Sequence, residues 1–172
     1  DLNLITSTEL AGQVSRITNA SDISLIVDGD NGYGNALNVM RTVRELENAG
    51  ASAITIEDTV LPATYGSKQG ENLLSLGEMV KKLEAAVLGK KDPETIIVGR
   101  SHAINVTSIS DAMERVKNYQ QTNIDAIFLT GIKTIDQLEQ ITTISRLPLI
   151  LGNTPSQLDN ETLSKYEVKI VL

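Results

Sequence analysis

Two kinds of segment alternate along the chain. Short apolar runs without polar alternation predict buried β-strands, and longer segments with apolar residues every three or four positions predict amphipathic helices. Helix-start signals such as Thr6 followed by Glu9, and helix-stop signals such as Gly50, separate them. We predict strands at 24–27, 53–58, 95–99, 126–129, 147–151 and 168–172. We predict helices at 7–19, 36–49, from Ser75 towards Asp92, 108–121, from Thr134 through Ile144, and 160–166.

This order of elements indicates an α/β protein with a parallel sheet, because apolar strands linked by helices are covered on both faces. Two architectures fit it, an open doubly wound sheet and a (β/α)₈ barrel. The first helix has no strand before it and the last strand has no helix after it. That would be natural if two strands and a final helix of a barrel lay outside this chain.

Composition excludes several classes of function. Charged residues make up 22% and hydrophobic residues 41%, as in ordinary globular proteins, and 172 residues correspond to about one domain. A net charge of −7, without a basic cluster, argues against a nucleic-acid partner. The absence of cysteine removes disulfides and thiolate chemistry. No apolar run approaches the roughly 20 residues that span a bilayer, and no signal segment is recognisable, so we expect a cytoplasmic protein without a membrane partner.

The segment Val27–Asn35, with the sequence VDGDNGYGN, is the strongest candidate for chemistry. Asp28 and Asp30 are two positions apart, which in an extended chain places both carboxylates on one side, where a hard divalent cation would relieve their repulsion. The glycines and the first amides of the following helix favour an anionic ligand. A solvated turn is the alternative, but the helical spacing after Asn35 weighs against a hairpin.

Further polar residues follow other predicted strands, and the carboxyl ends of parallel strands share one edge. Acids from two strands and Arg100 from a third indicate a metal-and-carboxylate site. Asp58 should face away from Glu57, towards the helices, and is therefore expected to be structural. His102, the only histidine, could face the site. The polar residues at these strand ends are Asp28, Asp30, Glu57, Asp58, Arg100, Thr130, Lys133 and Asn153.

These residues resemble a known family, the isocitrate lyase and phosphoenolpyruvate mutase superfamily of Mg²⁺-dependent (β/α)₈ barrels that act on α-keto and α-hydroxy carboxylates. The resemblance runs nearly from end to end and is most similar to the oxaloacetate decarboxylase, or phosphonomutase-like, branch. It implies a single barrel domain over 1–172, apparently incomplete, lacking the first two strands and the final helix. The segments that carry it are 27–35, 42–50, 56–62, 92–93, 98–100 and 130–134, together with 35–39.

The resemblance also implies roles for individual residues. Asp28 would contact Mg²⁺, Asp30 and Glu57 would hold its water ligands, and Asp1 would reach the same shell. Arg100 would be the catalytic residue that pairs with a small carboxylate substrate, and Gly32 and Asn35 would complete the substrate site. Relatives of this kind are expected to form homo-oligomers.

Departures from the family pattern narrow the activity. The lyases carry a catalytic cysteine in the loop that corresponds to 59–74, and this chain has none there. The phosphonate mutases carry a lysine where this chain has Ala63. Decarboxylation of oxaloacetate to pyruvate through an enolate is therefore the predicted activity. The alternatives are a carbon–carbon lyase of the methylisocitrate or dimethylmalate type, a phosphonate mutase, and a non-catalytic binding or scaffold chain.

Overall fold

The structure is a computed structural model that describes residues 4–63, 65, 66, 72–155 and 158–172. Six parallel strands form one sheet in the order β1-β2-β3-β4-β5-β6. The strands are β1 (Ile26–Asp28), β2 (Ala53–Glu57), β3 (Ile96–Ser101), β4 (Ala126–Thr130), β5 (Leu149–Gly152) and β6 (Val168–Val171).

Helices connect the strands, and their first residues are set by side-chain caps. Thr6 and Glu9 form a capping box at the first helix, and Asn35 caps the second in the same reciprocal manner with Asn38. Ser75, Ser108 and Thr134 cap three further helices through their hydroxyl groups. The helices are α1 (Ser7–Thr18), α2 (Ala36–Asn48), α3 (Leu76–Gly89), α4 (Ala103–Val106), α5 (Ile109–Tyr119), α6 (Ile135–Thr142) and α7 (Asn160–Ser164).

The strand order decides between the two predicted architectures. Each strand pairs with its neighbour in sequence, and the order never reverses. A doubly wound sheet needs a reversal to place helices on both faces, whereas a barrel wall keeps one direction throughout. The sheet is therefore a curled, six-stranded part of a (β/α)₈ barrel, which confirms the predicted fold class.

Two apolar clusters lie on the two faces of the sheet. The larger one packs strand residues such as Ile97 and Ile127 against the helices. The smaller one consists of Val98, Ala126, Phe128 and Ile150, which come from β3, β4 and β5. Because side chains alternate along a strand, this smaller cluster marks the inner face of the curled sheet.

Some predicted strand limits were wrong by one or two residues. β1 includes Asp28 and β3 includes Arg100, both of which we had placed after the strands. The reason is that the ladder depends on backbone groups: Asp28 pairs in register with Thr55, and Arg100 pairs with Phe128. The short helix α4 was not predicted. Among the described helices, none is long and apolar enough to cross a membrane.

Candidate active site

The turn after β1 brings the first acids of the site together in a way that differs from the prediction. Asp30 has a left-handed backbone with φ of 48°, so the chain is not extended there, and the expectation based on an extended chain was wrong. The Asp30 amide instead donates to Asp28 Oδ1 at 3.1 Å, and its carbonyl accepts from the amide of Glu57 at 2.8 Å. Thr55 also donates to Asp28 Oδ1, at 3.2 Å.

The glycine-rich part of the turn is packed closely against α2. Gly32 has φ of 81°, and a Cβ at this position would lie 2.4 Å from Cγ2 of Val39. Its carbonyl accepts a hydrogen bond from Thr42. Asn35 Oδ1 accepts from the amides at the start of α2, so this oxygen serves as a helix cap. The predicted substrate roles of Gly32 and Asn35 stay predictions.

Arg100 lies at the centre of the site. Its Nη1 is 2.5 Å from Asp28 Oδ2, and its Nε is 3.4 Å from Glu57 Oε2. The guanidinium carbon lies 4.8 Å from the ring centroid of Phe128, a cation–π distance. Nε is buried, and among the described residues it has no hydrogen-bond acceptor in good geometry. The guanidinium of Arg100 therefore lies between the carboxylates of Asp28 from β1 and Glu57 from β2.

Among the predicted metal-site acids that the structure describes, Glu57 is the most buried, with 10% of its side chain exposed. It accepts from Thr59, and its Oε2 lies 3.1 Å from Nε2 of His102. Burial alone would raise the pKa of Glu57, but the hydrogen bonds from His102 and Thr59 and the charge of Arg100 outweigh it and hold that pKa below its ordinary value. Glu57 is therefore an ionised acceptor at neutral pH.

The pKa values of Asp30 and Tyr33 are raised, whereas the pKa of Glu57 is lowered. Burial raises the pKa of Asp30, and the charges of Asp28 and Glu57 raise it further. Burial, followed by the charges of Asp30 and Asp28, raises the pKa of Tyr33 to about 12. The smaller, electrostatic part of both shifts reflects the neighbouring carboxylates of the site.

Asp58 lies on the other face of β2, as predicted. It is fully buried, and its Oδ2 accepts from Ser101 at 2.6 Å, from Tyr119 at 2.9 Å and from Arg115 at 3.2 Å. Its Oδ1 accepts from the His102 amide at 3.0 Å. This ionic cluster joins β2 and β3 to α5 behind the site.

The predicted metal site offers carboxylate oxygens, which are the ligands that a hard divalent ion prefers. In the described part of the chain, no three acidic or histidine side chains stand close enough together to ligate one ion directly. The implied arrangement needs only Asp28 as a direct ligand, with Asp30 and Glu57 acting through water. The raised pKa of Asp30 beside Asp28 and Glu57 is the electrostatic condition that a bound cation would relieve. The carboxylate oxygens of these residues therefore fit a hard divalent cation.

Most of the predicted site residues lie close together, but some residues of the site were not predicted. Asp28, Asp30, Glu57 and Arg100 meet at the carboxyl ends of β1, β2 and β3, whereas Asp1 lies outside the described residues. Thr130, which its strand-end position had indicated, also lies at the site, but no sequence signal placed Asn105 or Phe128 there. Residues missed as direct contacts within the site are Thr55, Thr59, Asn105 and Phe128.

The fold and the site together define a class: a parallel barrel wall with a carboxylate and guanidinium site at the carboxyl ends of its strands. The sequence profile of the phosphoenolpyruvate phosphomutase family matches residues 1–172. The chain therefore belongs to the phosphoenolpyruvate phosphomutase family, in agreement with the sequence resemblance.

Individual relatives agree with this assignment. The chain is 47% identical to the oxaloacetate decarboxylases of Bradyrhizobium diazoefficiens and Rhodopseudomonas palustris over its full length, and it spans 60% of theirs. The structure of a phosphonopyruvate hydrolase in complex with oxalate and Mg²⁺ aligns with 98% of this chain, and the alignment covers 60% of the hydrolase chain. Its TM-score is 0.85 and the sequence identity is 29%. A phosphoenolpyruvate phosphomutase from Streptomyces platensis matches 98% and 61%, with a TM-score of 0.86 at 28% identity.

Proposed function

We propose that the protein to which this chain belongs catalyses Mg²⁺-dependent decarboxylation of oxaloacetate to pyruvate. The observation that carries the proposal is the meeting of Asp28 and Glu57, from two strands, on the guanidinium of Arg100 at the carboxyl ends of the strands. Relatives at 47% identity that bear the name oxaloacetate decarboxylase support this substrate, and Ala63 in place of a lysine disfavours mutase chemistry.

The reaction breaks the bond between C3 and C4 of oxaloacetate. The electron pair of that bond moves towards the C2 keto oxygen as CO₂ leaves, and C3 then takes a proton to give pyruvate. Mg²⁺, when bound, would supply the positive charge that stabilises the developing negative charge on the keto oxygen. Asp28 would hold it directly, and Asp30 and Glu57 would orient its water ligands.

Arg100 would bind a substrate carboxylate. One N–H group is engaged with Asp28, and the remaining donors of the planar fork match the two oxygens of a carboxylate. Phe128 lies against the face of the guanidinium and limits its motion. The inner apolar cluster, which includes Phe128 and Ile150, would form the floor of the site, because both residues line the same cavity as Asp28 and Arg100.

The test is pyruvate formation by the full-length protein, corrected for decarboxylation by Mg²⁺ alone. We expect activity that is lost on chelation and restored by Mg²⁺. Asp28→Asn should lower kcat/KM by about 100-fold or more, whereas Asp136→Asn, at an exposed acid in α6, should leave it unchanged. A wild-type rate in Asp28→Asn would refute the proposal.

Binding without catalysis is the alternative that a second measurement separates. Calorimetric titration with Mg²⁺ and oxalate would then give heat although oxaloacetate is not turned over. A homo-oligomer in the cytoplasm is the setting we propose from the family resemblance, and light scattering coupled to size-exclusion chromatography would test the oligomeric state.

A further inference from the structure

His102 bridges the ends of two strands through both of its ring nitrogens. It directly precedes α4, and 20% of its side chain is exposed. Nε2 lies 3.1 Å from Glu57 Oε2 at the end of β2, and Nδ1 lies 3.1 Å from Thr130 Oγ1 at the end of β4. With both nitrogens occupied, the imidazole has no free position for a reacting atom.

Asn105 extends this contact. Its Nδ2 donates to Thr130 Oγ1 at 3.3 Å. The backbone beside Thr130 is shaped to admit the amide: Gly131 has φ of 93°, and a Cβ there would lie 2.4 Å from Asn105 Oδ1. Residues from α4 and β4 thus support the histidine from the side opposite to Glu57.

The chemistry of the four groups gives the hydrogen bonds one direction. An ionised Glu57 carboxylate can only accept, so Nε2 of His102 carries the proton. The amide of Asn105 donates to the oxygen of Thr130, so in the neutral imidazole, whose proton is on Nε2, the Thr130 hydroxyl donates to Nδ1. The order of donation is Asn105 to Thr130, Thr130 to His102, and His102 to Glu57. We call these four residues the His102 relay.

We propose that His102 is a positioning residue that fixes the Glu57 carboxylate towards the ligand site through this relay. The inference rests on the proposed function and deepens it. It assigns to His102 the orientation of Glu57, the carboxylate that would hold water ligands of Mg²⁺. Without the imidazole, the Glu57 carboxylate would keep the Thr59 contact at Oε1, and Oε2 would keep only the 3.4 Å Arg100 contact, whose geometry is poor. The carboxylate could then turn about its Thr59 contact.

The first test measures which ring nitrogen of His102 carries the proton and whether Thr130 bonds to the other. In full-length protein labelled with ¹⁵N-histidine, the His102 signals are assigned by their loss in His102→Leu. In mildly alkaline buffer we expect Nε2 protonated and Nδ1 bare. Thr130→Val should shift the Nδ1 resonance, whereas Thr130→Ser, which keeps the hydroxyl, should restore it. A proton on Nδ1, or a spectrum unchanged in Thr130→Val, would overturn the inference.

The second test reads Glu57 through ligand binding. Oxalate affinity in the presence of Mg²⁺ should fall by about tenfold in His102→Leu, as for other residues that orient metal ligands. His102→Gln, whose amide can reach the position of Nε2, should recover most of this loss. Thr122→Val is the matched control for Thr130→Val, because it removes an equally buried hydroxyl that binds the Tyr119 carbonyl instead.

The two tests separate the inference from the proposed function. A wild-type protein that binds neither Mg²⁺ nor oxalate would refute the proposed function, while the imidazole spectrum would still decide the relay. Equal oxalate affinities in wild type, His102→Leu and His102→Gln would overturn the positioning role even if the enzyme is active.

Discussion

Replacing Asp58 by Asn should destabilise the protein severely without changing the shape of the side chain. Oδ2 of Asp58 accepts three hydrogen bonds, from Ser101, Tyr119 and Arg115, and Oδ1 accepts from the amide of His102. An asparagine that keeps the bond to the His102 amide must turn its NH₂ group towards three donors. The buried guanidinium would then lose the carboxylate that it contacts here.

The size of the effect follows from these contacts. A hydrogen bond to a charged group contributes about 1.5–3 kcal/mol, but the hydroxyl oxygens of Ser101 and Tyr119 can turn to accept from the new NH₂ group, so the main loss is the contact with Arg115. Breaking a buried ion pair from one side costs about 3–5 kcal/mol. Because a protein of this size is stable by only about 5–15 kcal/mol, the loss should be conspicuous.

Denaturant unfolding of the full-length protein, followed by circular dichroism, measures this loss. The matched control is Asp111→Asn, which removes the second carboxylate that contacts Arg115. That side chain is 27% exposed, so its replacement should cost at most about 1 kcal/mol. If Asp58→Asn cost no more than Asp111→Asn, the reasoning about the buried cluster would be refuted.

Three further predictions concern burial, backbone and substrate binding. Burial lowers the pKa of Lys82 to about 8, so the unfolded chain binds more protons between about pH 8 and 10.5, and stability should rise with pH across that window. Lys82→Met should abolish this slope and stabilise the protein at pH 7 by about 1–3 kcal/mol. Lys81→Met, at an exposed lysine, should change neither the slope nor the stability. An unchanged slope in Lys82→Met would contradict this prediction. Gly131→Ala should cost at least about 1 kcal/mol more than Gly66→Ala in unfolding experiments, because both have positive φ but only Gly131 faces a clash; equal costs would refute this. Arg100→Lys should raise KM for oxaloacetate about tenfold, since lysine lacks the planar fork; an unchanged KM would argue against carboxylate binding by Arg100.

The helix starts were predictable because their signals are local. Thr6, Asn35 and Ser75 each cap a helix by accepting a hydrogen bond from an amide two or three positions further on. Because both partners are close in sequence, the sequence alone predicts such bonds. The strand ends were less predictable, since an apolar pattern stops at the last apolar residue. Asp28 and Arg100 nevertheless pair within the ladder, which uses only backbone groups.

The candidate site was predictable as a set of residues but not as a geometry. Parallel strands bring their ends together, so acids and Arg100 from three strands could be expected at one edge. The relay could not be expected, because His102 and Glu57 are 45 residues apart and their contact depends on how neighbouring strands are placed. The left-handed backbone of Asp30 was not predicted either, since few non-glycine residues adopt it, although aspartate is among those that do so most often.

Glu57 and Asp58 are joined by one peptide unit, yet one faces the ligand site and the other is bound to α5. A substitution in that helix can therefore reach the acid that serves the site without touching any ligand. Substitutions in α5 beside Arg115 should therefore change activity, and libraries confined to the residues that line the pocket would miss them.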